Sequence, residues 1–144
     1  MTNQPAKRVL VVDDDPELLR AHERMLAKSG FQVDTAENGR EALEQLAKAS
    51  YSAVVTDIAM PEMDGVAFLR AVRDVNLDLP VIMVTASPDV TSAAAAVQFG
   101  AYRYLIKPVA PDVLTGAVSR AVRLYSWAEL RRTAHVASSG DAGD

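Results

Sequence analysis

The sequence predicts a doubly wound α/β domain, with a five-stranded parallel sheet and five helices. Three observations predict it. Short apolar runs rich in Val, Ile and Tyr alternate five times with stretches of helical spacing. Three of those runs are apolar without interruption, as in strands buried on both faces of a parallel sheet. Strand followed by helix, repeated with right-handed crossovers, builds a sheet wound on both sides.

Each element can be justified in turn. "RVLVVD" (8–13) is the first strand. Asp15 then serves as an N-cap, Pro16 suits the first helical turn, and Leu18, Leu19, His22, Met25 and Leu26 make one stripe. Gly30 is placed to end this helix in a left-handed turn. "FQVDTA" (31–36) is the second strand, and a helix over about 39–49 turns Ala42, Leu43 and Leu46 inward. "SAVVTD" (52–57) is the third strand, and a helix over about 65–74 offers Val66, Phe68, Leu69 and Val72. "PVIMVT" (80–85) is the fourth, before a helix over about 89–99 that carries the run "AAAA" (93–96). "YRYLI" (102–106) is the fifth, and the last helix starts near Pro111. Its stripe of Leu114, Ala117, Val118, Ala121 and Tyr125 faces the sheet.

The 144 residues suffice for one domain with a good core. At 49% hydrophobic and 24% charged, the composition is that of a soluble globular protein. No apolar run approaches the roughly 20 residues that span a bilayer, and "MTNQPAKR" has no signal-peptide core. Cysteine is absent, which removes disulfides, thiolate metal sites and cysteine nucleophiles and fits a reducing cytoplasm. A net charge of −4 argues against direct binding of nucleic acid by this domain.

The chemistry is concentrated where strands end. "VLVVDDDPEL" (9–18) runs four apolar residues into three acids, whose mutual repulsion calls for a cation. In an open parallel sheet, ligands bind at the carboxyl ends of the strands. Strand 1 ends in Asp13 and Asp14, strand 3 in Asp57, strand 4 in Thr85 and strand 5 in Lys107. Three carboxylates, a hydroxyl and an ammonium converge there, and an all-oxygen donor set points to a hard divalent ion held against a phosphoryl group. Singly, each residue has an ordinary explanation as a cap, a turn residue or a surface lysine. Asp15 is one such cap. The combination is what carries the chemistry.

With these residues in place, the chain resembles the receiver domains of bacterial two-component response regulators, including the stand-alone chemotaxis type. The matching stretches are "VLVVDDDPEL", "VVTDIAMPEMDG" (54–65), "VIMVTA" (81–86) and "YLIKP" (104–108), within residues 7–126. The resemblance implies a flavodoxin-like receiver fold and phosphorylation of Asp57 by a phosphohistidine of a histidine kinase or phosphotransfer protein. It implies Mg²⁺, with Mn²⁺ able to substitute, held by Asp14, Asp57 and the Ala59 backbone carbonyl, with Asp13 acting largely through water. Lys107 and Thr85 would contact the phosphoryl oxygens, Thr85 and Tyr104 would form the switch, and Lys107–Pro108 would be a cis peptide. Ala59 and Ser87, both small here, would tune the lifetime of the acyl phosphate. Pro61 and Gly65 would shape the turn over the site, Gly65 through tolerance of positive φ.

Two other readings compete. A haloacid-dehalogenase-type phosphatase would use Asp13 and Asp15 with Thr85 and Lys107. Against it, Pro16–Glu17 follows the second acid, and no paired acids follow on a later strand. A receiver fold kept only for protein binding would be supported by the loss of any of Asp14, Asp57, Thr85 or Lys107, and none is lost. The domain is therefore expected to modify itself and to change shape rather than to turn over substrate as an enzyme.

By this reading, residues 1–6 are an N-terminal tail, 7–126 the receiver, 127–136 an extension of the last helix and 137–144 a flexible tail or linker. Leu124, Trp127 and Leu130 fall off the sheet-facing stripe and are expected to form an interface. The fourth helix, fifth strand and fifth helix would present the output face, to a joined output domain, a target protein or a second copy in a phosphorylation-dependent dimer.

Overall fold

The computed structural model describes residues 6–142, with side chains described for 6–134. Its elements are β1 (Arg8–Val12), α1 (Pro16–Lys28), β2 (Gln32–Ala36), α2 (Gly39–Lys48) and β3 (Ala53–Asp57). They continue with α3 (Gly65–Val75), β4 (Val81–Thr85), α4 (Val90–Gln98), β5 (Arg103–Ile106) and α5 (Pro111–Ala142). All strand pairs are parallel, in the order β2-β1-β3-β4-β5. This is the five-stranded doubly wound sheet expected from the alternation. The order turns back at β1, so the crevice at the carboxyl ends of β1 and β3 is where a ligand belongs.

Two apolar layers sandwich the sheet. On one face Val9, Val11, Val55, Ile82 and Val84 pack against Leu19 and Leu26 of α1 and Leu114, Ala117, Val118 and Ala121 of α5. On the other, Leu10, Val12, Val54, Val81 and Met83 meet Ala42 of α2 and Phe68, Leu69 and Val72 of α3. Adjacent strand residues point to opposite layers, so the uninterrupted apolar runs are used in full.

Caps define the helices. Asp15, Asn38, Asp64 and Asp89 each accept from backbone N–H groups in the first turn that follows. Gly30, at φ 96°, follows α1 in the left-handed conformation expected of it.

Two expectations need correction. Gly65 does not have a positive φ; in the same turn Glu62 does, at 69°. Gly65 is required for space instead, because a Cβ there would run into the Asp57 carbonyl oxygen and the Ile58 Cα. The second concerns the last helix. Residues 137–142 are helical, as the end of α5, where the sequence reads as a flexible tail or linker. No proline follows Pro111, and an established helix extends at the cost of fixing one residue per added hydrogen bond. Gly140 opposes this by only about 1 kcal/mol relative to alanine. Residues 1–5 and 143–144 of the two tails lie outside the described residues.

Candidate functional site

The site is assembled from four strand ends. Asp13 follows β1 and is 2% exposed, whereas Asp14 next to it is open to solvent. Asp57 closes β3 and Thr85 closes β4, both buried. Lys107 follows β5, and its backbone N–H donates to the Thr85 carbonyl at 2.8 Å. The Lys107–Pro108 peptide is cis.

Lys107 is the centre of charge. Its Nζ lies 3.0 Å from Asp13 Oδ2 and 3.3 Å from Asp57 Oδ1. Asp13 Oδ1 accepts from the Asp15 N–H at 2.9 Å, and Asp57 Oδ1 accepts from the Ile58 N–H at 2.8 Å. Burial pushes the Asp57 carboxyl above its ordinary range; Lys107 pulls it back, Asp13 pushes it further up, and the Ile58 N–H favours the ionised form. Asp14 makes no ion pair with Lys107 among the described residues.

Oxygens of Asp13, Asp14 and Asp57 come within 4.8 Å of one another. One ammonium cannot neutralise three carboxylates, and a donor set of oxygens alone suits Mg²⁺. The cluster therefore fits the ion implied by the sequence. Ala59, whose carbonyl was expected to join it, is exposed on the loop directly after Asp57.

Farther from the acids, Thr85 Oγ1 accepts from the Ser87 N–H at 3.0 Å, and Ser87 is exposed. Tyr104 on β5 is half-buried, and its hydroxyl reaches the first turn of α4. It lies 2.8 Å from Ser92 Oγ and accepts from the Asp89 N–H at 3.3 Å. Ser92 was not singled out in the sequence, where a serine before an alanine run has no mark of its own. Leu124, Trp127 and Leu130 are exposed at 50%, 66% and 61%, on the part of α5 that runs toward and past the end of the sheet.

The model of the response regulator receiver domain matches residues 9–119, most of the chain. The chain belongs to this family. Among curated relatives, the receiver domain is 39% identical to regulatory protein AtoC of Escherichia coli K12, over 92% of this chain and 29% of that protein. It is 43% identical to the DNA-binding transcriptional regulator NtrC of the same organism, over 81% of this chain and 25% of that protein. The chain thus spans about a quarter to a third of the length of these relatives. Among solved structures, it is similar to the beryllofluoride-activated NtrC4 receiver domain dimer. The TM-score is 0.77 at 32% identity, with 82% of this chain and 98% of that chain covered.

For a receiver domain the phosphatase reading loses its residues. Asp15 is occupied as the cap of α1, accepting from the Glu17 and Leu18 N–H groups, and Asp13 is paired with Lys107. Among the described residues, no helix is long and apolar enough to cross a membrane.

Proposed function

We propose that this receiver domain accepts a phosphoryl group on Asp57 from the phosphohistidine of a histidine kinase or phosphotransfer protein. The change of shape that follows then controls an output domain or target in the cytoplasm. The observation that carries the reading is the Lys107 ammonium held 3.3 Å from a buried strand-end carboxylate, with two further acids beside it.

Phosphoryl transfer asks for positioning and charge neutralisation more than for covalent help. Asp57 Oδ1 is occupied by Ile58 and Lys107. No buried side-chain oxygen lacks a partner among the described residues, so Oδ2 is the oxygen left to face solvent and the donor. Its lone pair forms the new P–O bond as the P–N bond to the imidazole breaks, and the histidine nitrogen departs with that electron pair. Lys107 is positioned to balance charge on the phosphoryl oxygens, and Thr85 to donate its hydroxyl to one of them. Asp14, Asp57 and the Ala59 carbonyl would hold Mg²⁺, with Asp13 acting largely through water. Bound there, the ion neutralises carboxylate and phosphoryl charge together. Ala59 and Ser87 leave room for water beside the acyl phosphate, which sets its lifetime.

Thr85 and Tyr104 form the switch, and α4, β5 and α5 the output face. Leu124, Trp127 and Leu130 add an apolar surface for a second copy or a joined domain. The similar NtrC4 receiver structure is a dimer, which favours the second copy.

The test is incubation with acetyl phosphate and Mg²⁺, followed by intact-mass measurement. One phosphate should be added to the wild-type chain and none to Asp57→Asn. Undiminished labelling of that variant would move the acceptor elsewhere.

A further inference from the structure

Helix α4 is held very differently at its two ends. Its middle contributes little: of its nine residues only Ser92 and Ala96 are buried, and the run 93–96 is all alanine. Val90 and Val97 point outward at 85% and 82% exposure. With so little side-chain area against the body, the polar contacts at each end decide where the helix sits.

At the C-terminal end those contacts are many and converge on one side chain. Arg73, on α3, donates from Nε to the Phe99 carbonyl at 3.0 Å and from Nη2 to the Gly100 carbonyl at 2.9 Å. The same guanidinium donates from Nη1 to the carbonyls of Asn76, at 3.1 Å, and Leu79, at 2.7 Å. Arg73 thus joins the end of α4 to the end of α3 and to the entry of β4. A planar, permanently charged fork bonded to four carbonyls resists displacement. Arg70 adds a cation–π contact, 5.0 Å from the centre of the Phe99 ring.

Among the described residues, the side-chain hydrogen bonds that tie the first turn to the rest of the domain converge on one hydroxyl, that of Tyr104, 2.8 Å from Ser92 Oγ and 3.3 Å from the Asp89 N–H. The segment entering that turn, 86–89, is exposed throughout and starts directly at Thr85. The loose end of the helix is the end nearest Asp57.

We infer that α4 is hinged at one end, with Arg73 fixing its C-terminus while loss of the Tyr104–Ser92 hydrogen bond frees its first turn when Asp57 is modified. The inference rests on the phosphorylation reading above and adds which part of the helix moves. Motion of Thr85 toward Asp57 would pull on 86–89 and be absorbed at the first turn.

Amide hydrogen exchange, resolved by NMR on the full chain with and without Mg²⁺ and beryllofluoride, tests this. Bound beryllofluoride has its own fluorine resonance, so occupancy of Asp57 is read in the same tube. With it bound, the Ala93 and Ala94 amides should change exchange rate by about tenfold or more, while Phe99, Gly100 and Ala101 stay within about threefold. Ser92→Ala without the mimic should speed exchange at Ala93 and Ala94 and leave Phe99, Gly100 and Ala101 as they are. Arg73→Lys should speed exchange at those last three.

Equal change at both ends with the mimic bound overturns the hinge and leaves phosphorylation at Asp57 standing. So does a Ser92→Ala variant whose first turn exchanges as in the wild type. A mimic that never binds overturns the phosphorylation reading and the hinge with it. Should Arg73→Lys fail to fold, the wild-type and Ser92→Ala measurements still decide.

Discussion

Lys107 Nζ lies 3.3 Å from Asp57 Oδ1, and this contact opposes the burial that favours the protonated carboxyl. A carboxyl whose folded pKa is raised contributes stability that is present below its ordinary value of 3.8 and lost as pH rises through the folded value. At neutral pH, ionised Asp57 therefore costs the metal-free domain stability. Asp57→Asn should raise the metal-free melting temperature at pH 7 and reduce the gain on adding Mg²⁺. Thermal unfolding with EDTA and with Mg²⁺ checks both. Lys107→Met should slow labelling by acetyl phosphate about 10²-fold, the usual scale for removing one preorganised charge partner.

Gly65 leaves no room for a side chain beneath the Asp57 carbonyl. Gly65→Ala should destabilise the fold by about 1–3 kcal/mol, as overpacking does, and weaken Mg²⁺ binding by shifting Asp57. Urea denaturation and calorimetric titration with Mg²⁺ measure the two effects. A variant unchanged in both would contradict the packing argument.

At the far end of the sheet, Tyr51 donates its hydroxyl to Asp34 Oδ2 at 2.6 Å, and Arg8 reaches the same oxygen at 2.8 Å. The tyrosine hydrogen bond, then the arginine, hold the Asp34 carboxyl below its ordinary range, against a smaller opposing effect of burial than the tyrosine's. Burial and the bond to Asp34 push the Tyr51 phenol up to about 12. Asp34 thus contributes stability above pH 3.8 that is lost as pH falls through its folded value. Tyr51 contributes stability that is full below pH 10 and lost between pH 10 and about 12. Tyr51→Phe should cost about 1 kcal/mol at neutral pH and flatten both limbs of the stability profile, as chemical denaturation across pH would record.

Glu62 occupies the left-handed region at φ 69° on an exposed turn. A residue with a Cβ is strained there by about 1–2 kcal/mol, more than the extra unfolded-chain entropy of glycine. Glu62→Gly should therefore stabilise the domain by up to about 1 kcal/mol, measured as a shift of the urea midpoint.

The exposed apolar residues of α5 make association measurable. Light scattering at several concentrations should show molar mass rising toward a dimer when beryllofluoride is bound, and Trp127→Ala should weaken that rise. A mass that stays monomeric in both states, with Trp127→Ala changing neither mass nor stability, would remove the dimer.

Much of this was legible in the sequence because a parallel sheet leaves little freedom. Val9–Val12, Val54–Val55 and Val81–Val84 had to be buried on both faces, and the residues directly after them had to lie at one edge. Asp13 and Thr85 follow such runs directly, Asp57 follows one residue on, and Lys107 follows the fifth strand of the same parallel sheet, so the four can be gathered at one edge from the sequence. What could not be read depends on distances between side chains far apart in the chain. Nothing local in "AVRDV" says that Arg73 will bond to Phe99 and Gly100, and nothing in "TSAAAA" says that Ser92 will meet Tyr104. Gly65 was recognised as necessary, but a clash with Asp57 cannot be told from a positive φ by composition. The α5 boundary was missed because polar, small residues signal a tail only when no helix is already running into them.

The continuity of α5 has a mechanical consequence. The helix is buried against the body as far as Ala128 and continues as helix to Ala142, a rod running roughly 21 Å farther at 1.5 Å per residue. A rod does not dissipate rotation at its root. A tilt of about 10° in the seated half carries the tip through roughly 4 Å, by the same helix geometry. A displacement too small to disturb the core on which Leu114 and Val118 pack therefore becomes, at the far end, about the size of a hydrogen-bonded contact made or broken.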